Sequence, residues 1–189
     1  TVERLALDGE YENRTSPMLL LEWQKCRYQC YHRTGEREKL ADVCEALLKN
    51  GEPDYYEEWK SLLPSDLKSV KIEQLLKEVS IKVYRKILLA ENRVDLMVEA
   101  CEKDPSELWL YFDALKSSPF VEQATELYKD WIWEEADAAA NRSEYAAVCR
   151  KLKKFSENSP IAARVLAREL RETFPRKRAF LEELKKAGF

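Results

Sequence analysis

Glycine and proline are scarce, four and seven in 189 residues, about half the usual share, so the chain has few of the residues that make turns. Strand formers are scarce as well. Val, Ile and Thr number 20 together, too few for several buried strands, which excludes a sheet-based nucleotide-binding fold or a barrel enzyme. There is no Gly-x-Gly and no Gly-x-x-x-x-Gly-Lys, so a phosphate-cradling loop is excluded. One histidine, His32, cannot supply the Glu-x-x-His ligand sets of a ferritin-like metal centre. No apolar run approaches the roughly 18 residues needed to cross a bilayer, and no signal-peptide pattern opens the chain; the expectation is a soluble, cytoplasmic protein with no membrane partner. The first residue is Thr1 rather than Met, which suggests a piece of a longer chain. Five cysteines, at 26, 30, 44, 101 and 149, are an odd number in a chain able to build its own core, and read as reduced, buried thiols.

What the sequence has in excess is helix former. Ala, Glu, Lys, Arg and Leu make up 101 residues, and the fold class this predicts is all-α. Net charge is −3, but it is unevenly spread. Residues 142–189 carry 13 Lys and Arg against 6 Asp and Glu, a balance of +7, while residues 1–141 carry 19 against 29, a balance of −10. An acidic body with a basic end is the pattern of an electrostatic docking surface.

The prolines act as punctuation. Ser16-Pro17, Asp104-Pro105, Ser118-Pro119 and Ser159-Pro160 each pair a capping residue with a first-turn proline and read as helix starts. Further caps are expected at Asn92 and Ser143. Between these marks apolar residues recur at intervals of three and four, as in Leu40/Val43/Cys44/Leu47, Ile72/Leu75/Leu76/Val79/Val83/Ile87, Leu108/Tyr111/Phe112/Leu115 and Tyr145/Val148/Cys149/Leu152, which sets each group on one helix face. The reading is about ten or eleven short helices joined by short links. They form a right-handed α-α superhelix of stacked antiparallel hairpins, similar to tetratricopeptide or HEAT repeats. It is taken as a single domain over 1–189, with possible sub-blocks 1–91 and 92–189. In the hairpin 105–135, Leu115, Ala124, Tyr128 and Trp131 match tetratricopeptide spacing, while Phe112 and Trp131 are larger than that pattern expects.

Four phrases occur in order: Pro53-Asp-Tyr-Tyr-Glu-Glu-Trp-Lys-Ser-Leu-Leu-Pro64, Arg93-Val-Asp-Leu-Met-Val-Glu-Ala-Cys-Glu-Lys-Asp-Pro105, Glu144-Tyr-Ala-Ala-Val-Cys-Arg-Lys-Leu-Lys-Lys-Phe155, and the stretch from Leu170 to Phe189. Together they resemble the C-terminal helical-repeat region of uncharacterised bacterial proteins that carry a SWIM-type zinc finger. The resemblance implies an α-α superhelix and no catalytic residues. The finger itself, Cys-x-Cys followed by Cys-x-His, is absent from these residues.

Cys26, Cys30 and His32 form one metal-like cluster. On a helix Cys26 and Cys30 lie 40° apart, whereas His32 lies a further 200° round, so the three do not converge and a fourth ligand is missing. They are read as two core cysteines and an exposed histidine, with no metal or cofactor expected. Cys149 has basic neighbours of the kind that can lower a thiol pKa, but it sits in an apolar stripe and reads as packed. Adjacent acids such as Glu57-Glu58, Glu134-Glu135 and Glu182-Glu183 point 100° apart on a helix and read as solvated faces rather than acid–base pairs. The remaining candidates are surfaces. Trp109 and Trp133 fall off their helices' apolar stripes and can anchor a peptide partner. Arg164, Arg168 and Arg171 form a one-sided row, followed by Arg176 and Arg178, that can grip phosphates or a carboxylate-rich partner. The expected function is a non-enzymatic helical-repeat scaffold for a protein or peptide. The alternative is a nucleic-acid-associated accessory region using the basic C-terminal face.

Overall fold

The structure, a computed structural model, describes residues Val2–Phe189. Among them are twelve α-helices and two 3-10 turns, with no strand, so the protein is all-α. The chain divides into two compact units, Thr1–Glu91 and Asn92–Phe189. Asn92 stands at the junction with φ of 49°, a left-handed conformation that Asn tolerates better than most residues.

The first unit holds α1 (Val2–Glu12), α2 (Pro17–Thr34), α3 (Arg37–Lys49), α4 (Tyr56–Leu62), α5 (Lys68–Leu76) and α6 (Ile81–Ala90), with a 3-10 turn at Pro53–Tyr55. Pro17 opens α2 after Ser16, and Gly35 closes it at φ 73°, donating its N–H to the Tyr31 carbonyl, a left-handed stop that glycine makes without strain. The helices α1 and α2 meet closely at Gly9. A Cβ there would lie 2.3 Å from the Trp23 ring. Leu40, Val43, Cys44 and Leu47 are buried on one side of α3, where α4 brings Tyr56 and Trp59 against the same core. The run from Ile72 to Ile87 is not one helix. Its spacing survives, but Ser80 is extended at ψ 158° and starts α6, so Val79 falls in the break. This extra interruption, with the short α4 ending before Pro64, explains why the chain has more helices than the ten or eleven its spacing suggests.

The second unit holds α7 (Val94–Lys103), α8 (Leu108–Leu115) after a 3-10 turn at Pro105–Glu107, α9 (Val121–Ala138), α10 (Arg142–Asn158), α11 (Pro160–Thr173) and α12 (Arg178–Lys186). Helix α7 packs on α8 and α9, α9 on α10 and α11, and α10 on α11 and α12. Its core is aromatic. The Tyr128 ring stacks on Phe155 at 4.9 Å and meets Phe112 edge-on at 4.9 Å. Each such buried ring contributes roughly 1.5–3 kcal/mol through removal of its surface from water. A second cluster joins Trp133 to Phe174 at 6.0 Å and Phe180 to Tyr145 at 5.3 Å.

The caps follow the sequence in part. The Asp104 carboxylate accepts from the Ser106 N–H at 3.0 Å, as its place before Pro105 suggests. The start of α10 is at Asn141 rather than Ser143: the Asn141 side chain accepts from the Glu144 N–H at 3.1 Å, and Glu144 reaches back to accept from the Ala140 N–H at 2.7 Å. This is close to a capping box, with Asn in place of Ser or Thr and with the glutamate reaching the N–H one residue before the cap.

Candidate functional site

Helix α8 begins just after the Asp104 cap, which fixes the position of Ser106 and Trp109. Leu108, Tyr111, Phe112 and Leu115 take the buried side, and Trp109 points the other way, 51% exposed. On α9 the buried stripe is Ala124, Tyr128, Ile132 and Ala136. Trp131 stands at its edge, one ring contact from Tyr128 at 5.6 Å, and Glu135 and Ala138 continue that edge one and two turns on. On α10 the same spacing puts Glu144, Ala147, Lys151 and Lys154 along one side.

These edges bound a groove made of two adjoining cavities. One, of about 520 Å³, is lined by Ser106, Trp109, Trp131, Glu135, Ala147, Arg150 and Lys151. The other, of about 310 Å³, is lined by Glu135, Ala138, Ala139, Glu144, Ala147 and Val148. Glu135 and Ala147 belong to both. Small side chains give the second cavity its depth. The Lys151 ammonium lies 4.8 Å above the Trp131 ring and donates to the Glu135 carboxylate, and the Lys154 ammonium lies 6.0 Å above the Trp109 ring. A cation over an indole face is held by the ring quadrupole.

The end of the groove is fixed from behind. Lys177, in the turn before α12, donates to the carbonyls of Ala136, Asp137 and Ala139 at 2.9, 2.8 and 3.0 Å. These carbonyls belong to the end of α9, where partial negative charge collects. The lysine therefore anchors the Ala138–Ala139 wall.

The other expected surface residues are placed elsewhere. Trp133 is half-buried against Phe174 and does not line the groove; Trp131, which its spacing assigns to the core, takes that place beside Trp109. The three arginines of α11, Arg164, Arg168 and Arg171, are exposed, as are Arg176 and Arg178, and no α11 residue lines either cavity. None of the five has a carboxylate within 4.0 Å among the described residues.

In the first unit, Cys26 is exposed and Cys30 half-buried, which corrects their reading as core cysteines. The reason lies in the faces α2 buries: Gln24 and Tyr31, with Arg27 paired to Glu10 at 2.8 Å and the Tyr31 hydroxyl donating to Glu3 at 3.1 Å. His32 is exposed, its Nε2 3.5 Å from Glu58 Oε1, and Glu58 also accepts from the Tyr28 hydroxyl. Burial first, then this bond, pushes the Tyr28 hydroxyl well above its ordinary pKa. The contact ties α2 to α4 and leaves no mark in the spacing. Among the described residues no three His, Cys, Asp or Glu side chains are gathered as a metal site. A cavity of about 560 Å³ lies beside Trp59, between Arg37, Glu38, Asp42 and Glu45 of α3 and Leu62, Leu63, Pro64 and Lys71; three acids and two cations give it no single charge preference. The other three thiols are buried, and burial pushes Cys44 and Cys101 up to about 12 and Cys149 up to about 11.

No helix of the described residues is long and apolar enough to cross a membrane. Compared with protein-family models, curated proteins and solved structures, the chain matches none.

Proposed function

We propose that this chain is a non-enzymatic helical scaffold that binds a protein or peptide partner, and that the groove between α8, α9 and α10 is the surface it uses. The observation that carries this reading is the juxtaposition of Trp109, Trp131 and Arg150 around one cavity, because tryptophan and arginine are the residues that most often dominate binding energy. A half-exposed tryptophan loses more water-facing apolar surface on binding than any other side chain the groove offers. The packing of consecutive helices from α7 to α11, and of α7 on α9, α9 on α11 and α10 on α12, supports an α-α superhelix of stacked hairpins, which we read as right-handed and of tetratricopeptide or HEAT type. Five free cysteines suit a reducing cytoplasmic setting.

The test is panning of a random peptide display library on the full chain. Enriched peptides are expected to bind the purified protein and to lose at least tenfold in affinity on Trp109→Ala, a substitution at an exposed position that leaves thermal unfolding unchanged. Peptides that bind Trp109→Ala as well as the parent overturn the groove reading.

The exposed and unpaired arginines favour one other reading, nucleic-acid association through Arg164, Arg168, Arg171, Arg176 and Arg178. It requires binding to single- or double-stranded nucleic acid that weakens steeply with salt and is abolished by Arg164→Glu with Arg168→Glu. Salt-insensitive or absent binding at low ionic strength removes it.

A further inference from the structure

Resting on the groove reading, we infer that the partner segment is acidic with an aliphatic side chain beside its carboxylates, and that Glu135 occupies the groove's cation site until that segment arrives. The Glu135–Lys151 ion pair lies across the groove, at the seam where the two cavities meet. On one side of it is the wall of Ala138, Ala139, Ala147 and Val148, with room for an aliphatic side chain. On the other are Trp109 and Arg150.

The available charge in this groove is positive, although its lining holds two acids and two cations. Both carboxylates are already committed. Glu135 accepts from Lys151. Glu144 accepts from the Ala140 N–H at 2.7 Å and from the Asn141 side-chain amide at 2.6 Å, and the Ala140 N–H, with the Asn141 amide, holds its carboxyl below the ordinary carboxylate range. Arg150, by contrast, is exposed and has no carboxylate within 4.0 Å among the described residues, and neither has Lys154 at the mouth beside Trp109. A guanidinium in this position accepts a carboxylate through two parallel donors. A second ligand carboxylate reaches Lys151 by displacing Glu135, whose side chain is about one-third exposed and able to turn toward water.

The same geometry weighs against a single-stranded nucleic acid in this groove. Base stacking needs open indole faces, and here the Lys151 ammonium already lies over the Trp131 ring. The alanine wall is matched to an aliphatic side chain rather than to a flat base.

The experiment uses the full chain and the peptides enriched by panning. The enriched set is expected to be rich in Asp and Glu with Leu, Ile or Val among them, and the tightest peptide should gain about three- to fivefold in affinity on Glu135→Gln, the range that releasing a partly exposed ion pair supports. Arg150→Glu should lose more than tenfold. Glu134→Gln makes the same change in net charge at the neighbouring exposed position, one that lines neither cavity, and should leave the affinity unchanged. Neutral or basic enriched peptides, an unchanged or weaker affinity for Glu135→Gln, or an equal gain for Glu134→Gln would overturn the inference. If such peptides still depend on Trp109, the groove reading stands and only the acidic partner and the role of Glu135 fall. Tight, Trp109-dependent binding of a uridine dodecamer in place of peptides overturns both.

Discussion

Lys177 sits between Arg176 and Arg178 in sequence, yet it does something quite different from either. Its neighbours are exposed, while its ammonium donates to three carbonyls at the end of α9 and lies 4.6 Å from the Phe174 ring centroid. Charge-assisted hydrogen bonds to otherwise unpaired carbonyls contribute more than neutral ones, so Lys177→Met is expected to destabilise the second unit by about 2 kcal/mol, read as a lower urea midpoint; a change below about 0.5 kcal/mol would show the carbonyls satisfied by water instead. The sequence displays a basic run and nothing more at this point. Which member turns inward depends on where the end of α9 lies in space. The thiols divide in a similar way. Cys44, Cys101 and Cys149 occupy apolar stripes and are buried, as their spacing says, but Cys26 and Cys30 also follow such a spacing and are not, because α2 buries a polar side instead. A thiol reagent at pH 8 is expected to modify Cys26 and Cys30 in the native protein and all five cysteines only in denaturant. Rapid native labelling of Cys44 would contradict the burial described. The same three buried thiols give a pH dependence with a definite sign. Their folded pKa values, about 12, 12 and 11, lie above the ordinary 9.0, so the unfolded chain ionises first. Their contribution to stability is complete below pH 9 and is lost as pH rises through 9 toward 12, seen as a falling urea midpoint.

At the scale of elements, helix starts are the most legible feature, since Pro17, Pro105 and Pro160 open a helix or 3-10 turn where they stand. Other boundaries are not legible: Ser118-Pro119, read as a helix start, lies in a turn, and α9 begins at Val121 after Phe120. Asn141 caps α10 through a bond that Ser143 would make equally well on chemistry alone, and only the backbone path of Ala139–Ala140 decides between them. Val79 keeps a helical spacing although it lies in a break. The α1–α2 contact is also hidden, because its key residue is a mid-helix glycine with no side chain to recur in a pattern. Gly9→Ala puts a methyl carbon 2.3 Å from an indole ring, and neither helix nor ring can yield that distance without moving. The expected outcome is a loss of about 1–3 kcal/mol or release of α1, detected as new protease cleavage between Val2 and Glu12. A variant with unchanged stability and no new cleavage would contradict the close approach.

At the scale of the molecule, composition alone is enough to give the all-α class, and the uneven charge, −10 against +7, is a property of residue order that needs no coordinates to count. The groove is different. Trp131 recurs at core spacing with Tyr128, which points it to the interior, whereas Trp133 is off that spacing and reads as surface; the second cluster around Phe174 covers Trp133 and leaves Trp131 at the edge. A one-dimensional pattern identifies the side of a helix facing its nearest neighbour, but not the side a third helix covers. Each unit has its own apolar core, and fragments 1–91 and 92–189 are each expected to unfold cooperatively with helical circular dichroism; a fragment without a cooperative transition would show that its core is incomplete.

The central claim is that the partner binds between Trp109 and Trp131. Five tryptophans, at 23, 59, 109, 131 and 133, give five indole N–H resonances. A proton–nitrogen NMR titration of the full chain with the tightest panned peptide reads them separately. The account predicts saturable shifts of the Trp109 and Trp131 indole signals, with those of Trp23, Trp59 and Trp133 unmoved. Shifts centred on Trp133 or Trp59, with Trp109 unaffected, would contradict it.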